Sequence, residues 1–424
     1  MTLQMGIALA ITILMIVMIM SDKFAFGAPP LIACVLLVIC GLATPQEAFA
    51  GFVNNNVIMI AGFMGIMAAF QKTSLINKVK EVMLRLATTG GYKSYVLLVI
   101  IAMLAGSVFG AGATACYVLV LSLVSTLPYN KKLPPSKLLM PMGFATNQPL
   151  IPINVALHFG IMLEVLQGQG WNTNGITSVK FSLVNVVMNL GFLAWAIIGF
   201  KLLPDHEIAA ASADAKNAGE NEALPQWKEY LTYACFVLGV LGMVFQSNLG
   251  AAGYVIPALA TAILVAANVM SFKEAMSNIG APVVLMMAGV VGVADALANT
   301  GFTAMVGEVL AGALAGVSPF IIVLVFSLAA STLATFTGSN LGTAMVFAPV
   351  AVAACMALGY NPTAAAAAVV VSSWNGGYMP IDGMPAMIMG MGNYKLTEFW
   401  KFSLPMYFVR IIFLALGAVL VFPL

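Results

Sequence analysis

Runs of roughly twenty apolar residues follow one another along this chain, parted by short polar stretches. That length matches the about 20 helical residues needed to cross a hydrocarbon core about 30 Å thick. Of its 424 residues, 62% are hydrophobic and 8% charged, where soluble domains carry about 25% charge. The expected fold class is therefore an all-α polytopic membrane protein in contact with the lipid bilayer. The net charge of +2 builds no basic field, so nucleic acid is not expected as a partner. Cys34, Cys40, Cys116, Cys235 and Cys355 lie in apolar runs without a C-x-x-C pair, which indicates neither a disulfide framework nor a zinc site. No cofactor is expected. The first run, Leu3 to Met20, is followed by Ser21, Asp22 and Lys23 and reads as a retained span. The chain has no Gly-Lys dipeptide and so no P-loop, and no H-E-x-x-H, so neither ATP-driven pumping nor metalloprotease chemistry is expected.

The chain is also a duplication. Residue n set against residue n+227 aligns Pro30 with Pro257, Glu47-Ala48 with Glu274-Ala275, Ala61-Gly62 with Ala288-Gly289, Gly65 with Gly292 and Phe109 with Phe336. After one inserted residue, Asn147, Pro152 and Ile153 meet Asn375, Pro380 and Ile381. In the first half, 1–203, spans are expected at 3–20, 27–43, 53–71, a broken span 138–166, and 180–200. In the second, 230–424, they are expected at 230–247, 254–270, 283–300, a broken span 363–393, and 403–423. Each half adds a longer apolar stretch, 94–126 and 319–356, interrupted by small polar residues. Both read as re-entrant hairpins, since non-helical backbone at membrane depth survives only against protein or water. Five crossings per half is an odd number, so the two repeats are expected to be inverted. The polar stretch 204–229 reads as a flexible cytoplasmic linker.

The charges support the same topology. With the N-terminus outside, every Lys and Arg falls inside except Lys180, which lies outside, and Arg410, which lies within a span. That is the asymmetry of the positive-inside rule, and it places the chain in the inner cell membrane. Along 74–86, Leu75, Ile76, Val79, Val82, Met83 and Leu86 share one helical face opposite Lys78, Glu81 and Arg85, as in a helix lying in the interface.

Broken helices in duplicated carriers hold substrate at the repeat interface and use half-helix ends as partial charges. Function is thus expected at four breaks. The second hairpin tip, Thr337-Gly338-Ser339-Asn340-Leu341-Gly342-Thr343, offers hydroxyls, an amide and free backbone N–H groups to a carboxylate, and carbonyls to sodium. The rival reading is a packed glycine turn. The first hairpin offers Gly110, Gly112 and Thr114. The first broken span has Thr146-Asn147-Gln148-Pro149, then Asn154, then His158, which fits an anion ligand, a proton carrier or a helix cap. The second has Asn375 to Asp382, with Trp374 read as packing. Asp295 stands where the first repeat has Ala68, either on an aqueous path or near an interface. Asp382 and Arg410 fall at similar depth on neighbouring spans and are expected to pair.

Ser339-Asn340-Leu341-Gly342-Thr343-Ala344-Met345-Val346-Phe347-Ala348-Pro349 resembles the Ser-Asn-Thr hairpin signature of the divalent anion/sodium symporter family. Asn375-Gly376-Gly377-Tyr378-Met379-Pro380-Ile381-Asp382-Gly383-Met384-Pro385 resembles that family's proline-containing loop. The resemblance implies a homodimeric, elevator-type carrier of an organic dianion and sodium. It also implies that Ser339 and Asn340 serve the second sodium and the substrate, with the Asn375 to Asp382 break opposite. The third signature position is Leu341 and the first hairpin reads Gly112-Ala113-Thr114, which suits a reduced site for a monocarboxylate or small sulfonate, or coupling to protons.

The combined expectation is a secondary active transporter of a small organic anion, coupled to sodium, and not an enzyme. The substrate set is Thr114, Asn147, Asn154, His158, Ser339, Asn340, Thr343 and Asn375; the ion set is Gly110, Gly112, Thr337, Gly338, Ser339, Asn340 and Asp382. The rivals are the large membrane subunit of a tripartite carrier, a proton-coupled anion carrier, an intramembrane enzyme and a channel.

Overall fold

The computed structural model describes residues 2–20, 24, 28–110, 114–125, 127, 129–208, 224–280, 282–301, 305, 309, 312–337, 340–380 and 383–423. Among them every regular element is helical. Among the described residues five helices are both long and apolar enough to cross a membrane: Tyr92–Phe109, Ser178–Leu202, Pro319–Phe336, Asn340–Ala357 and Leu396–Val421. Several expected spans are shorter helices, among them Ala28–Ile39, Asn55–Phe70 and Ala251–Ala266.

Both halves of the duplication fold alike. The interrupted stretches form helix pairs, Tyr92–Phe109 with Thr114–Ser125 and Pro319–Thr337 with Asn340–Ala357. Both broken spans are broken, into Ser136–Ala145 with Ala156–Gly168 and Thr363–Ser373 with Gly383–Gly392. Pro149 and Pro152 withhold backbone donors in the first break, and Gly377, at φ +81°, turns the chain in the second. The halves are knitted crosswise. Helix Asn55–Phe70 packs on Ala251–Ala266 while its mate Pro282–Asn299 packs on Ala28–Ile39. The Thr261 hydroxyl donates to the Gly62 carbonyl at 2.6 Å, and at the equivalent position of the other half the Cys34 thiol donates to the Gly289 carbonyl at 3.1 Å. Glycine is needed at both carbonyl positions: a Cβ at Gly62 would collide with the Pro257–Ala258 backbone, and one at Gly289 would stand 2.6 Å from Pro30 Cβ.

Two capping boxes repeat the symmetry locally. Thr44 and Glu47 cap Pro45–Ala48, and Ser271 and Glu274 cap Phe272–Ile279. Lys72 pairs with Glu274 at 2.6 Å. That hydrogen bond, with the Ser271 N–H, holds the Glu274 carboxyl below its ordinary value of 4.5. A lowered carboxyl contributes stability that is complete above the ordinary value and lost as pH falls through the lowered one. Glu274→Gln is expected to shallow the acid limb of the stability profile below about pH 4.5 and leave its shape near pH 7 unchanged. Acid titration of the unfolding midpoint checks this; an unchanged acid limb would refute it.

The polar loops gather at one end. Glu229 accepts from the Ser74 N–H and hydroxyl, and Lys228 donates to the Asn268 carbonyl. Lys137 pairs with Asp205 at 3.1 Å, and the Ser136 hydroxyl donates to the Pro204 carbonyl. The expected linker at 204–229 needs correcting on two counts: 204–206 are tied to the core, and helix Gln226–Val244 begins inside it. The last span likewise begins earlier than 403, within helix Leu396–Val421, because Glu398 supports its first turn. The amphipathic segment is a helix, Leu75–Thr89, with Met83 and Ala87 buried and Val82 exposed on its apolar face.

Candidate functional site

The site is built where the two broken spans cross. Ser136–Ala145 lies against Gly383–Gly392, and Thr363–Ser373 lies against Ala156–Gly168, so each span's first half meets the other's second half. Five consecutive alanines, Ala364 to Ala368, are fully buried and allow the close approach. The breaks then meet directly. The Asn147 side-chain amide donates to the Trp374 carbonyl at 2.6 Å, and the Gln148 amide donates to Asn375 Oδ1. Asn375 in turn donates to the Val371 carbonyl.

Each hairpin packs on its own repeat's break. The Ser107 hydroxyl accepts from the Ile151 N–H at 3.0 Å, and the Asn154 amide donates to the Val108 carbonyl at 3.1 Å. Gly110, the C-cap of the first hairpin helix, sits beside Asn154, whose amide nitrogen would be 3.0 Å from a Cβ there. In the second half Thr335, the counterpart of Val108, lies against Gly376 so closely that a Cβ could not fit.

Arg410 enters this junction from helix Leu396–Val421. It is 1% exposed and donates to the carbonyls of Asn375, at 3.0 Å, and Gly376. Its guanidinium stands over the Phe144 ring, 5.6 Å from the centroid, and its buried Nε has no partner. A cation at the end of Thr363–Ser373 also answers the negative pole of that helix. Asp382, the expected partner of Arg410, lies outside the described residues; among those described, the guanidinium is held by these carbonyls, which the unwound backbone of 375–376 leaves as free acceptors. In the first repeat the neutral Asn189 does the matching work, donating to the Pro149 carbonyl at 2.6 Å.

Of the expected site residues, the structure joins Asn147 and Asn375 at the crossing and joins Gly110 with Asn154 beside it. His158 is 6% exposed, its ring edge-on to Trp374 with centroids 4.5 Å apart, and its Nε2 has no partner. No side-chain cap bond forms at the start of Ala156–Gly168, so His158 does not act as its cap. Asn340 is half-buried at the head of Asn340–Ala357, and Thr343 is buried one turn on. Gly112, Gly338, Ser339 and Asp382 lie outside the described residues, as do the side chains of Thr114 and Thr337. The sequence reading missed Gln148 as the partner of Asn375, Arg410 as a clamp on the break, and Glu164. The first could have been found from the repeat, since Gln148 adjoins the aligned Asn147–Asn375 pair. Among the described residues no group of three or more His, Cys, Asp or Glu side chains is placed to hold a metal ion.

This architecture has known counterparts. The YdaH transporter of Alcanivorax borkumensis superposes with a TM-score of 0.63 at 15% identity, over 88% of this chain and 86% of that one. MtrF of Neisseria gonorrhoeae, described as illuminating a class of antimetabolite efflux pumps, superposes with a TM-score of 0.58 at 16% identity, over 92% and 85%. Identities this low establish a shared fold. In sequence, 125 residues, 29% of this chain, are 30% identical to the uncharacterized transporter sll0640 of Synechocystis sp. (strain ATCC 27184 / PCC 6803 / Kazusa), a match spanning 20% of that protein's length. The family model for citrate transporters, CitMHS, matches residues 16–372, most of the chain. The chain is a multi-pass membrane transporter, not an enzyme, and it belongs to the citrate transporter family.

Proposed function

We propose that this chain is a secondary active carrier of a small organic anion, with citrate and related carboxylates as first candidates, coupled to sodium. The observation that carries the reading is the junction of the two breaks. There a fully buried guanidinium has a free Nε, and its described partners are carbonyl oxygens and a ring face rather than a carboxylate. A buried positive charge of that kind favours an anion nearby. Close to it the buried oxygens of Asn147 and Gln148 lack donors, which suits a small cation. The likeness of the hairpin motif around Asn340 to divalent anion/sodium symporters supports sodium as that cation. Ser339, Thr343, Thr114 and Thr337 on the two hairpins, with Gly110, Gly112, Gly338 and Asp382, complete the proposed substrate and ion sites. Protons as the coupling ion form the second reading, favoured by the buried, unpartnered carboxyl of Glu164.

In this reading the crosswise-packed helices 28–39, 55–70, 251–266 and 282–299 form a fixed frame. The hairpins and broken spans move against it as an elevator, in inverted halves of a homodimer, in the inner membrane with the basic loops on the cytoplasmic side. Thermal unfolding of the purified protein against citrate, other carboxylates and sulfonates, with and without sodium, tests it. Ligand at 100 times its Kd stabilises by about 2.7 kcal/mol. The midpoint is expected to rise with one of these anions and to rise further with sodium present. If no organic anion moves the midpoint, the reading fails; if sodium adds nothing, the coupling ion is wrong.

A further inference from the structure

Glu164 lies on helix Ala156–Gly168, 5% exposed, and neither of its carboxylate oxygens has a hydrogen-bond partner. Gly160, Glu164 and Gly168 are spaced by four residues and so share one helical face. At one end of that face Gly160 meets Ile60 and Asn56 of helix Asn55–Phe70. Asn56 is 1% exposed, with an unpartnered Oδ1. At the other end Gly168 meets Asp295 of helix Pro282–Asn299, whose Oδ1 would stand 3.5 Å from a Cβ at that glycine. Gly168 stands about one helical turn from Glu164, a rise of about 6 Å, so Asp295 lies in the neighbourhood where the two carboxylates repel. Asp295 is half-buried, so the pair has one enclosed member and one with access to water.

Among the described residues no cation balances the pair: of the elements packed against Pro282–Asn299, Pro45–Ala48 adds only the exposed Glu47 and Ala28–Ile39 only the buried thiol of Cys34. Of the helices packed against Ala156–Gly168, Asn55–Phe70 and Thr363–Ser373 carry no titratable side chain, Asn340–Ala357 carries only the buried thiol of Cys355, and Pro282–Asn299 carries only Asp295. Ser178–Ile198 carries Lys180, which is exposed and donates to the Gly175 carbonyl. The helix's own His158 is turned to Trp374. Two ionised carboxylates here would bear both desolvation and mutual repulsion. One proton relieves both, by neutralising one acid and removing the repulsion on the other. Two carboxylates and one amide oxygen are few for a hard cation such as calcium, which takes about 6–8 oxygens.

We infer that Glu164 and Asp295 form a coupled proton-binding site, the pair taking up one proton at the contact of the first broken span with helix Pro282–Asn299. Ser136 and Lys137 begin the broken span among the basic loops, and Phe272–Ile279 with its Lys72 pair precedes Pro282 at the same end. Glu164 and Asp295 lie toward the far ends of their helices, so the proton enters from the face opposite those loops. Binding it removes repulsion across a contact between the proposed frame and the proposed moving part; losing it restores the repulsion. That consequence for movement rests on the carrier reading, whereas the site itself does not.

Infrared difference spectroscopy of the full-length protein in lipid vesicles, between acid and alkaline pH, reads the proton directly. The wild type is expected to show a deuterium-sensitive carbonyl band of a protonated carboxyl that vanishes on alkalinisation. Glu164→Gln is expected to abolish this response. Asp295→Asn is expected to displace its midpoint by about one pH unit or more, since one member of a coupled pair sets the titration of the other. Asp295 is half-buried, so its variant carries the test if Glu164→Gln does not fold. A band unaltered in Asp295→Asn or in folded Glu164→Gln would overturn the assignment. So would removal of the wild-type band by sodium at constant pH, which would make this a cation site. Citrate uptake into the same vesicles is expected to lose its pH dependence in Glu164→Gln; failure of uptake in the wild type as well would count against the carrier reading and leave the infrared result standing.

Discussion

Arg410→Gln is expected to destabilise the protein by about 3 kcal/mol and to abolish transport. Two effects oppose each other. Removing a buried guanidinium recovers its desolvation cost, which favours the variant. It also strands the buried carbonyls of Asn375 and Gly376, which no other donor reaches among the described residues. A hydrogen bond to a charged group contributes about 1.5–3 kcal/mol, and an orphaned buried acceptor costs about 1–3 kcal/mol. With two such carbonyls and the pole of Thr363–Ser373 unanswered, the loss outweighs the recovery. Arg410→Lys keeps the charge but not the fork that reaches two adjacent carbonyls, so it is expected to restore less than half of the lost stability. Chemical unfolding in detergent and uptake into vesicles check both variants. An Arg410→Gln protein as stable as the wild type would show that burial cost dominates and that the clamp is dispensable.

Gly62→Ala and Gly289→Ala are expected to destabilise by about 2–3 kcal/mol each, by the same mechanism in the two halves. At Gly62 the added methyl meets the backbone of Pro257 and Ala258, and at Gly289 it meets Pro30 at 2.6 Å and its carbonyl carbon at 3.0 Å. Neither obstacle is a flexible side chain that can swing aside. Relief requires the crossing helices to separate, which also breaks the Thr261 and Cys34 hydrogen bonds to these same glycines. Gly312, with nothing within 4 Å of a Cβ, is the control, and Gly312→Ala is expected to be neutral or stabilising by up to about 1 kcal/mol. Unfolding midpoints decide. A large loss at one of the paired glycines and none at the other would deny that the two crossings bear equivalent loads.

Much of this fold was legible in order along the chain. The helices 3–20, 28–39, 55–70 and 178–198, the hairpin arms and the positions of both breaks follow from uninterrupted apolar runs and from prolines and glycines that interrupt them. Boundaries failed where the cause is not hydropathy. Helix Leu396–Val421 starts in polar sequence where Glu398 accepts from the Lys395 N–H, and helix Gln226–Val244 where Glu229 is held by Ser74 and Lys228 by Asn268.

Within the site the legible part was residue type and place. Asn147 and Asn375 stood out because polar side chains at membrane depth are costly and the duplication brought them into register. That they reach across to each other's span, through Trp374 and Gln148, is a contact between residues 227 positions apart in sequence. Arg410 shows the limit most clearly. Its depth implied a partner, and an acid is the natural expectation from charge alone; the partners among the described residues include backbone carbonyls freed by unwinding, which carry no mark in the sequence. Glu164 passed unnoticed for the converse reason. On an apolar helix near a polar loop an acid looks like an interfacial residue, and only packing against Asn55–Phe70, Pro282–Asn299 and Thr363–Ser373 encloses it. The sequence by itself determined the local terms: which segments are helical, how deep they run, where they break, and that the plan is made twice. Those depend on interactions within a few residues and on transfer of each side chain into lipid. The tertiary structure decided which breaks meet, what satisfies the backbone they expose and which charges are shut from water, because these depend on how helices far apart in the chain cross.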